Sequence, residues 1–517
     1  MKQKTWIISA LMYAMVIMAC LGVLHLLKEM TENNAPSGTV AEESTDHTEP
    51  ETDFAEEEET KEDIAETGPE EEESDVPVER EEGYYGWKQE LPQIFPSVPE
   101  EVPYEPPRLI LATDLHYQSA QADDGGAAFQ LFVERGDGKV VEYLPELLEA
   151  FMDQVIEEHP SALVLSGDIT MNGEKINHEE LARGLMRVQD AGIPVLIVPG
   201  NHDINNPHAA VYFGEEKAET DPVTPEEFYN IYHMYGYDQA ISRDDASLSY
   251  VYQLDERNRL LMLDTCQYEP KNMVEGQLKV ETLRWADEQL KKAKEDGMNV
   301  LPIGHHNLLA QSRMYTTQCA MNNNGDVIEL FQKYELPLYL SGHLHVQRIR
   351  KHKAEPGAAD DSYGIMEIVT DALSIPPCQY ALLEWKRDGS MEYSTKAVDV
   401  SAWAARTGSQ NPDLLDFEGW SERYIQKLII DQIRGVVKNL GNDVEHSMAE
   451  VYASVYIDYY AGRRIDAKGI RSSKGYRWWE RNMPDSYLLK ELDAMIDDSD
   501  RDNNYMLLPE VNAAAEE

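Results

Sequence analysis

Between Pro194 and Asp203 the chain reads Pro-Val-Leu-Ile-Val-Pro-Gly-Asn-His-Asp: an apolar run that stops at a proline and a glycine, then hands over to an amide, an imidazole and a carboxylate. Those side chains bind metal ions and move protons. The arrangement recurs along the chain. Arg108 to Thr113 runs into Asp114-Leu115-His116, Ala162 to Ser166 into Gly167-Asp168, and Asn299 to Ile303 into Gly304-His305-His306. Leu336 to Leu340 runs into Ser341-Gly342-His343-Leu344-His345, and a further run, Arg259 to Leu263, ends at Asp264-Thr265. In order, these ends supply Asp114, His116, Asp168, Asn201, one of the pair His305-His306, His343 and His345, which is enough to hold two metal ions.

The elements that must position these residues follow from the same pattern. Short β-branched runs are strands buried on both faces, and in open α/β sheets ligands gather just beyond the carboxyl ends of strands. Between the runs, Glu146 to Glu158 has helical periodicity. Asn177 as N-cap with Glu180 three residues on predicts a helix to about Ala191 that Gly192 closes, with His178 in its first turn facing solvent. Phe129 to Tyr143 reads as a hairpin turned at Gly136-Asp137-Gly138. Thr224 to Tyr235 and Val280 to Asp296 read as helices, and Ala246 to Leu254 pairs with Arg259 to Asp264. Gly364 to Thr370 and Tyr380 to Val398 read as strands, the latter a hairpin turned at Asp388-Gly389. Strand–helix–strand alternation gives mostly parallel sheets. Two sheets are needed, with helices on their outer faces, which makes a four-layer α/β/β/α sandwich. From Ser401 the period becomes helical: Ser421 to Leu440, Ala449 to Tyr460 and Ser486 to Asp497 predict a small all-α domain over 401–505, followed by a tail, 506–517. Tyr452, Tyr456, Tyr459 and Tyr460 form an aromatic face suited to packing.

Composition sets the surroundings. The 517 residues, 42% hydrophobic, carry 96 acidic against 45 basic side chains and a formal net charge of -51. With no Lys/Arg run, such a chain is repelled by nucleic acid, so no nucleic-acid partner is expected. Trp6 to Leu27 is apolar for about the roughly 20 residues that span a bilayer. Lys2 and Lys4 precede it and acidic residues follow, which keeps the amino end inside. A signal anchor over 1–28 is the favoured reading, since the run exceeds the usual signal-peptide core of about 7–15 residues. A cleaved secretory peptide and lipidation at Cys20 are the alternatives. All three place the remainder outside the cytoplasm. Residues 29–82, rich in Glu, Thr, Pro and Asp, cannot bury enough to offset their ordering entropy and read as a solvated spacer. Residues 83–107, rich in proline and aromatics, read as irregular structure along the domain surface. Cys266, Cys319 and Cys378 follow no metal spacing and read as isolated buried thiols, although one pair could bridge.

The ordered set Asp-x-His, Gly-Asp, Gly-Asn-His-Asp, His and Gly-His-x-His resembles the calcineurin-like metallophosphoesterases over Arg108 to Val398, so that 108–400 is expected to form such a domain. The resemblance implies one metal ion on Asp114, His116, Asp168 and His345, and a second on Asp168, Asn201, His305 and His343, with Asp168 bridging. In this family the first His of a pair such as His305-His306 is the ligand, and His306 would line the pocket. His202 would face the phosphoryl group or protonate the leaving group, with Asp203 orienting its imidazole and raising its pKa. The donor types suit Mn, Fe, Ni or Zn, and without a thiolate they exclude a structural zinc site. Two such ions roughly 3.5–4 Å apart lower the pKa of a shared water and hold both oxygens of an in-line displacement at phosphorus.

Within the family, Ile169-Thr170-Met171 lacks the tyrosine of purple acid phosphatases, and no Asp-Arg-Gly of serine/threonine protein phosphatases follows Asp168. Leu163-Val-Leu-Ser-Gly-Asp168, Val198 to Pro207 and Gly304-His-His-Asn-Leu308 are similar to a bacterial branch of the class III cyclic nucleotide phosphodiesterases, which also carries a helical extension. The expected activity is hydrolysis of phosphodiesters, cyclic AMP among them, by a hydroxide shared between the ions, in an enzyme held at the membrane with its site outward. The alternatives are a phosphomonoesterase or nucleotidase on the same metals, and a non-catalytic binder of phosphorylated wall polymer.

Overall fold

The computed structural model describes residues 104–312, 317–352, 364–437 and 440–508. The apolar segment Trp6 to Leu27, the acidic spacer and most of the proline-rich approach fall outside them. Among the described residues, no helix is long and apolar enough to cross a membrane. Residues 104–107 run irregularly along the domain: the Tyr104 hydroxyl donates to Asp255 (3.0 Å), and the Arg257 guanidinium lies 3.8 Å from the Tyr104 ring centroid.

The strands are β1 (Arg108–Ala112), β2 (Ala162–Ser166), β3 (Val195–Val198), β4 (Ala210–Phe213), β5 (Glu216–Glu219), β6 (Ser242–Arg243), β7 (Tyr250–Gln253) and β8 (Asn258–Leu263). They continue with β9 (Asn299–Gly304), β10 (Leu338–Ser341), β11 (Arg348–Lys351), β12 (Met366–Val369), β13 (Gln379–Trp385), β14 (Met391–Ala397) and β15 (Tyr505–Leu508). One sheet has the order β15-β14-β13-β1-β2-β3 and the other β11-β12-β10-β9-β8-β7-β6, while β4 and β5 form a separate hairpin. β1, β2 and β3 run parallel, as do β8, β9, β10 and β12, so the chemistry-bearing ends of each set emerge on one side.

Side chains alternate between the faces of a strand, and the packing shows which face each sheet gives to the other. In β8, Leu260 and Met262 join the large core with β1, β2 and β3 residues; Leu261 and Leu263 join a second core with Ala286, Leu290, Val327 and Phe331 from the helices Val280–Glu295 and Asn324–Lys333. The helices Leu144–Glu158 and Lys175–Asp190 add Leu147, Phe151, Leu181 and Leu185 to the large core. This is a four-layer sandwich. All five residues of β2 are buried, and full burial of each Val or Leu contributes roughly 1.5–3 kcal/mol. The helical region, spanning Val400 to Asp498, builds a third core on Ile425, Ile429, Met448, Tyr452, Tyr459 and Trp479. The tyrosine face at 452–460 is packed into it.

Four expectations are corrected. Phe129 to Tyr143 is not a hairpin, because Ala127–Glu134 is a helix that buries Phe129 and Val133, four residues apart, on one face. Asn177 is not an N-cap, because the helix begins at Lys175 behind Glu174. Its side chain points inward instead: Oδ1 accepts from Ser119 N (2.9 Å) and Nδ2 donates to Glu174 (2.7 Å). His178 is fully buried rather than solvent-facing, its ring bonded to the Tyr232 hydroxyl (3.0 Å) and to the Asp203 carbonyl (2.9 Å). Tyr505–Leu508, read as the junction of helical domain and tail, is an edge strand antiparallel to β14. The helices Asn324–Lys333, Val400–Thr407, Pro412–Leu415, Ala467–Ser472 and Lys474–Asn482 also lie where the sequence reading named none. Cys266, Cys319 and Cys378 form no disulfide; Cys266 and Cys378 are buried and Cys319 is partly exposed.

Candidate functional site

The loops behind β1, β2, β3, β9 and β10 converge, and their backbone is unusual. Among the described non-glycine residues, ten have positive φ, and five of these are Asp114 (53°), His116 (44°), Asp168 (47°), His343 (68°) and His345 (61°). A non-glycine residue in this region costs on the order of 1–3 kcal/mol and persists where surrounding structure imposes it, typically at functional sites. Close approach explains the glycines. A Cβ on Gly200 would overlap the Asp168 amide and carboxylate, and one on Gly342 would overlap Thr113 Oγ1 and crowd Asp114 Oδ2.

Six of the seven candidate ligands are drawn together directly, and Asn201 stands between Gly200, packed on Asp168, and His202, whose N–H donates to Asp168 Oδ1 (2.7 Å). His345 Nε2 lies 3.2 Å from Asp114 Oδ1 and 3.1 Å from His116 Nε2, and His116 Nε2 is 3.9 Å from Asp168 Oδ2. On the other side, His305 Nε2 is 3.3 Å from the same Asp168 Oδ2. Donors about 2.0–2.2 Å from a shared ion stand roughly 3–3.5 Å apart, so the closest pairs have the spacing of a common cation. Asp114, His116, Asp168 and His345 offer ligand atoms within 4.8 Å of one another; His305, His306 and His343 form a second such group.

Hydrogen bonding separates supported atoms from offered ones. Asp114 Oδ2 accepts from Thr113 Oγ1 (2.8 Å) and His343 N (2.9 Å), whereas Asp114 Oδ1 is buried without a hydrogen bond. His305 Nδ1 donates to Ser166 O (2.9 Å), and its Nε2 has no hydrogen-bond partner. His343 Nε2 donates to Gln318 O (2.8 Å), which leaves Nδ1. Asn201 Oδ1 is buried and unpartnered, while Asn272 Nδ2 donates to Asn201 O (2.8 Å) and fixes its loop. Burying unsatisfied polar atoms is costly, and a backbone-bonded imidazole that offers its other nitrogen is the usual support of a metal ligand. These residues fit two ions. His306 does not join them: its ring nitrogens are taken by Thr265 Oγ1 (2.8 Å) and Val274 O (3.0 Å).

The electrostatics agree. Burial opposes ionisation of Asp168, but the His305, His202 and His116 imidazoles outweigh it and hold the carboxyl well below its usual range. Asp114 is likewise held down against burial, chiefly by His345. Burial keeps His116 far below the ordinary histidine value, and burial with the nearby His305 lowers His343 to about 4. Both stay neutral, the form that binds metal. His305 is raised to about 9 against burial by Asp168 and Asp114, a proton held where a cation would sit.

His202 is half-buried, and its backbone N–H donates to Asp168 Oδ1 (2.7 Å). Its Nδ1–H goes to Met171 O (2.8 Å), so Nε2 remains for a substrate. The expectation that Asp203 orients this ring is corrected. The Asp203 carboxylate accepts instead from Gly200 N (2.8 Å), Ile169 N (3.2 Å), Thr170 N (2.9 Å) and Thr170 Oγ1 (2.8 Å). It is a staple between the Asp168 and Asn201 loops. Burial and the charge of Asp168 raise its carboxyl to about 7.

A second staple was not legible in the sequence. Buried Glu367, on β12, accepts from Leu308 N (2.8 Å), Leu309 N (2.6 Å), Gln311 Nε2 (2.6 Å) and Ser341 Oγ (2.7 Å), joining the His305 loop to the His343 loop. Asn307 Nδ2 reinforces the joint through Gly342 O (2.8 Å). A lone glutamate inside an apolar strand carries a signal of burial, but nothing in its neighbours names the partners.

Residues 107–347 match the family of calcineurin-like phosphoesterases, and residues 399–502 match the C-terminal domain of cyclic nucleotide phosphodiesterase. No match was found among curated proteins. Among solved structures, a dimetal phosphatase from Danio rerio is similar at 16% identity and TM-score 0.42, over 57% of this chain and 97% of that one. A purple acid phosphatase from yellow lupin (Lupinus luteus) seeds is similar at 13% identity and TM-score 0.39, over 57% of this chain and 52% of that one. PhoD is similar at 10% identity and TM-score 0.32, over 56% and 66%. The chain thus carries a calcineurin-like metallophosphoesterase domain, with candidate ligands for two metal ions, followed by a C-terminal domain of the cyclic nucleotide phosphodiesterase type.

Proposed function

We propose that this chain is a dimetal phosphodiesterase acting on small phosphodiesters, cyclic nucleotides among them, with Asp114, His116, Asp168 and His345 holding one ion and Asp168, Asn201, His305 and His343 the other. The observation that carries the reading is the cluster of Asp114, His116, Asp168 and His345, whose ligand atoms lie within 4.8 Å of one another, with His305 Nε2 3.3 Å from the same Asp168 carboxylate. Divalent ions held there supply Lewis-acid charge at the phosphoryl oxygens and make water a nucleophile near neutral pH. The protein's own part is positional and protic. Asp203 and Glu367 lock the loops, and Asp168 keeps its orientation through His202 N. His202 presents Nε2, either to a phosphoryl oxygen or, when protonated, to the departing oxygen. The match of 399–502 to the C-terminal domain of cyclic nucleotide phosphodiesterase supports a diester substrate.

Turnover of bis- against mono-para-nitrophenyl phosphate, by protein loaded with Mn, tests this. Diester hydrolysis that a chelator abolishes is expected. Exclusive monoester turnover would make the protein a phosphomonoesterase, and no turnover by metal-replete protein would make it a binder.

The placement is also part of the proposal: Trp6 to Leu27 anchors the chain in a membrane, and the acidic segment holds the domain outside. Lys2 and Lys4 ahead of the apolar run support that orientation. Protease added to intact cells should release the domain by cutting within 29–82. Full protection, under a permeable outer envelope, would reverse the topology.

A further inference from the structure

The last two candidate ligands sit on a segment shared between the two domains. His343, Leu344, His345 and Val346 follow one another between β10 and β11, and their side chains divide by turns. His343 and His345 belong to the candidate metal clusters, His345 Nε2 lying 3.2 Å from Asp114 Oδ1. Leu344, 6% exposed, and Val346, fully buried, belong instead to the third core, with Ile429, Met448, Tyr452 and Tyr459 of the helical domain. Any turn of the segment that withdrew Leu344 from this core would carry both imidazoles with it. Both histidines also stand at positive φ, a conformation that persists only where surrounding structure imposes it.

Directly behind the ligands the contact becomes polar. Gln347 N donates to Tyr460 O (2.9 Å), and Gln347 Nε2 donates to Asn503 O (2.9 Å). Gly462, at φ 65°, packs so closely on Gln347 that a Cβ there would overlap the Gln347 carbonyl oxygen. Arg348 is fully buried, its guanidinium 4.5 Å from the Tyr459 ring centroid and paired with Asp498 (3.5 Å), which also accepts from Arg350 Nη2 (3.1 Å). Tyr459 and Asp498 lie at the ends of the helices Asn442–Tyr460 and Tyr487–Asp498. Tyr459 touches the other histidine loop as well, since its hydroxyl shares a hydrogen bond with Ser312 Oγ (2.8 Å), on the segment that continues from His305 through Gln311. These contacts form a clasp between the helical domain and the loops of three candidate ligands.

We propose that the helical domain is a positioning part of the metal site, in which Asp498, through Arg348, and the core around Leu344 hold His343 and His345 where they meet the ions. The proposal rests on the dimetal reading above. Ligand atoms must be held within about 0.5 Å of the productive geometry by side chains whose own packing is locked. Losing the support behind a metal ligand typically weakens metal affinity by roughly 10–100-fold. Metal binding and docking of the helical domain are then coupled, and such coupling is reciprocal.

The test uses the full chain with Mn(II) as the probe, its affinity measured by competition with a chelator and the fold by circular dichroism and denaturant titration. Asp498→Asn and Leu344→Ala should each weaken Mn(II) affinity by roughly 10–100-fold in folded protein. Val155→Ala is the control. Val155 is fully buried, but its helix ends at the start of β1, away from Asp114, where the Arg108 guanidinium donates to Glu158 O. It should lower stability and leave Mn(II) affinity within about twofold. Hydrogen exchange needs no variant: Mn(II) added to the parent should slow exchange in Asn442–Tyr460 more than in Leu144–Glu158. Affinity within about twofold of the parent in every test variant that folds, or an equal loss in Val155→Ala, makes the clasp a fold element and overturns the proposal, while a parent that binds two ions keeps the dimetal reading. If neither variant folds, the exchange result decides, and equal slowing in the two helices overturns the proposal. A parent that binds no Mn(II) overturns both.

Discussion

Replacing His202 by alanine separates chemistry from metal binding, and the structure sets the size of each effect. The side chain is none of the seven candidate ligands. Its hydrogen bonds are those of Nδ1 to Met171 O (2.8 Å) and Asn172 Oδ1 (3.2 Å), and its ring meets His116 edge-on at 4.8 Å. The contact that matters to the Asp168 carboxylate, His202 N to Asp168 Oδ1, is backbone and survives the substitution. Loss of one such hydrogen bond at a half-buried position costs about 0.5–1.5 kcal/mol of stability, and metal content should stay near two ions per chain. Turnover should fall by roughly 10²–10⁴-fold, the usual effect of removing a positioned proton donor or a contact to a developing charge. The leaving group tells these two apart. If Nε2 protonates the departing oxygen, the loss is large for a ribose alkoxide, as from cyclic AMP, and small for para-nitrophenolate, which leaves unaided. If Nε2 holds a phosphoryl oxygen, both substrates suffer alike. The assay is kcat on cyclic AMP and on bis-para-nitrophenyl phosphate, with metals measured on the same samples. Unchanged rates on both substrates, with metals retained, refute any role for His202 in the chemistry.

Three further outcomes are expected. Asp168→Asn, which weakens the carboxylate proposed to bridge the two ions, should leave less than one ion per chain by elemental analysis; two retained ions would remove that proposed role. Glu367→Gln sets an amide donor against at least one of the donors that Glu367 accepts from, so it should destabilise by about 1–3 kcal/mol in denaturant and weaken metal affinity by roughly 10–100-fold in a chelator competition. Unchanged metal affinity would reduce Glu367 to a fold element. His178, held by burial at about 4, stays neutral in the native protein while the unfolded chain takes up a proton below about 6.5. Its contribution is therefore present above that value and is lost as pH falls toward 4, by up to about 3 kcal/mol. The stability gap between the parent and His178→Gln should narrow over that interval, and a gap independent of pH would contradict a neutral buried ring.

The sequence alone determined the points where chemistry is placed. An apolar β-branched run makes a buried strand wherever it lies, and a glycine directly behind it permits a turn into which an Asp, Asn or His can be set. The strand ends that present Asp114, Asp168, Asn201, the pair His305-His306 and His343 follow from such local rules, while the choice of His305 within its pair came from the family resemblance. So does the start of the helix at Thr224, where the structure shows a capping box with Glu227, and so does the tyrosine face at 452–460. What tertiary structure decided are the partners of buried polar groups, because hydrogen bonds between loops far apart in sequence leave no periodic trace. Asp203 stands beside His202 in the chain yet bonds the Ile169–Thr170 backbone across the cleft, and Glu367 joins two loops that its neighbours in β12 do not name. Gly136-Asp137-Gly138 has the composition of a hairpin turn, but the Phe129–Val133 pair buries along a helix, and the turn is set by tyrosines nearly three hundred residues later in the chain or more. Strand β15 returns from beyond the helical domain because the edge of β14 has unpaired backbone groups to satisfy, a demand that exists only once the sheet has formed.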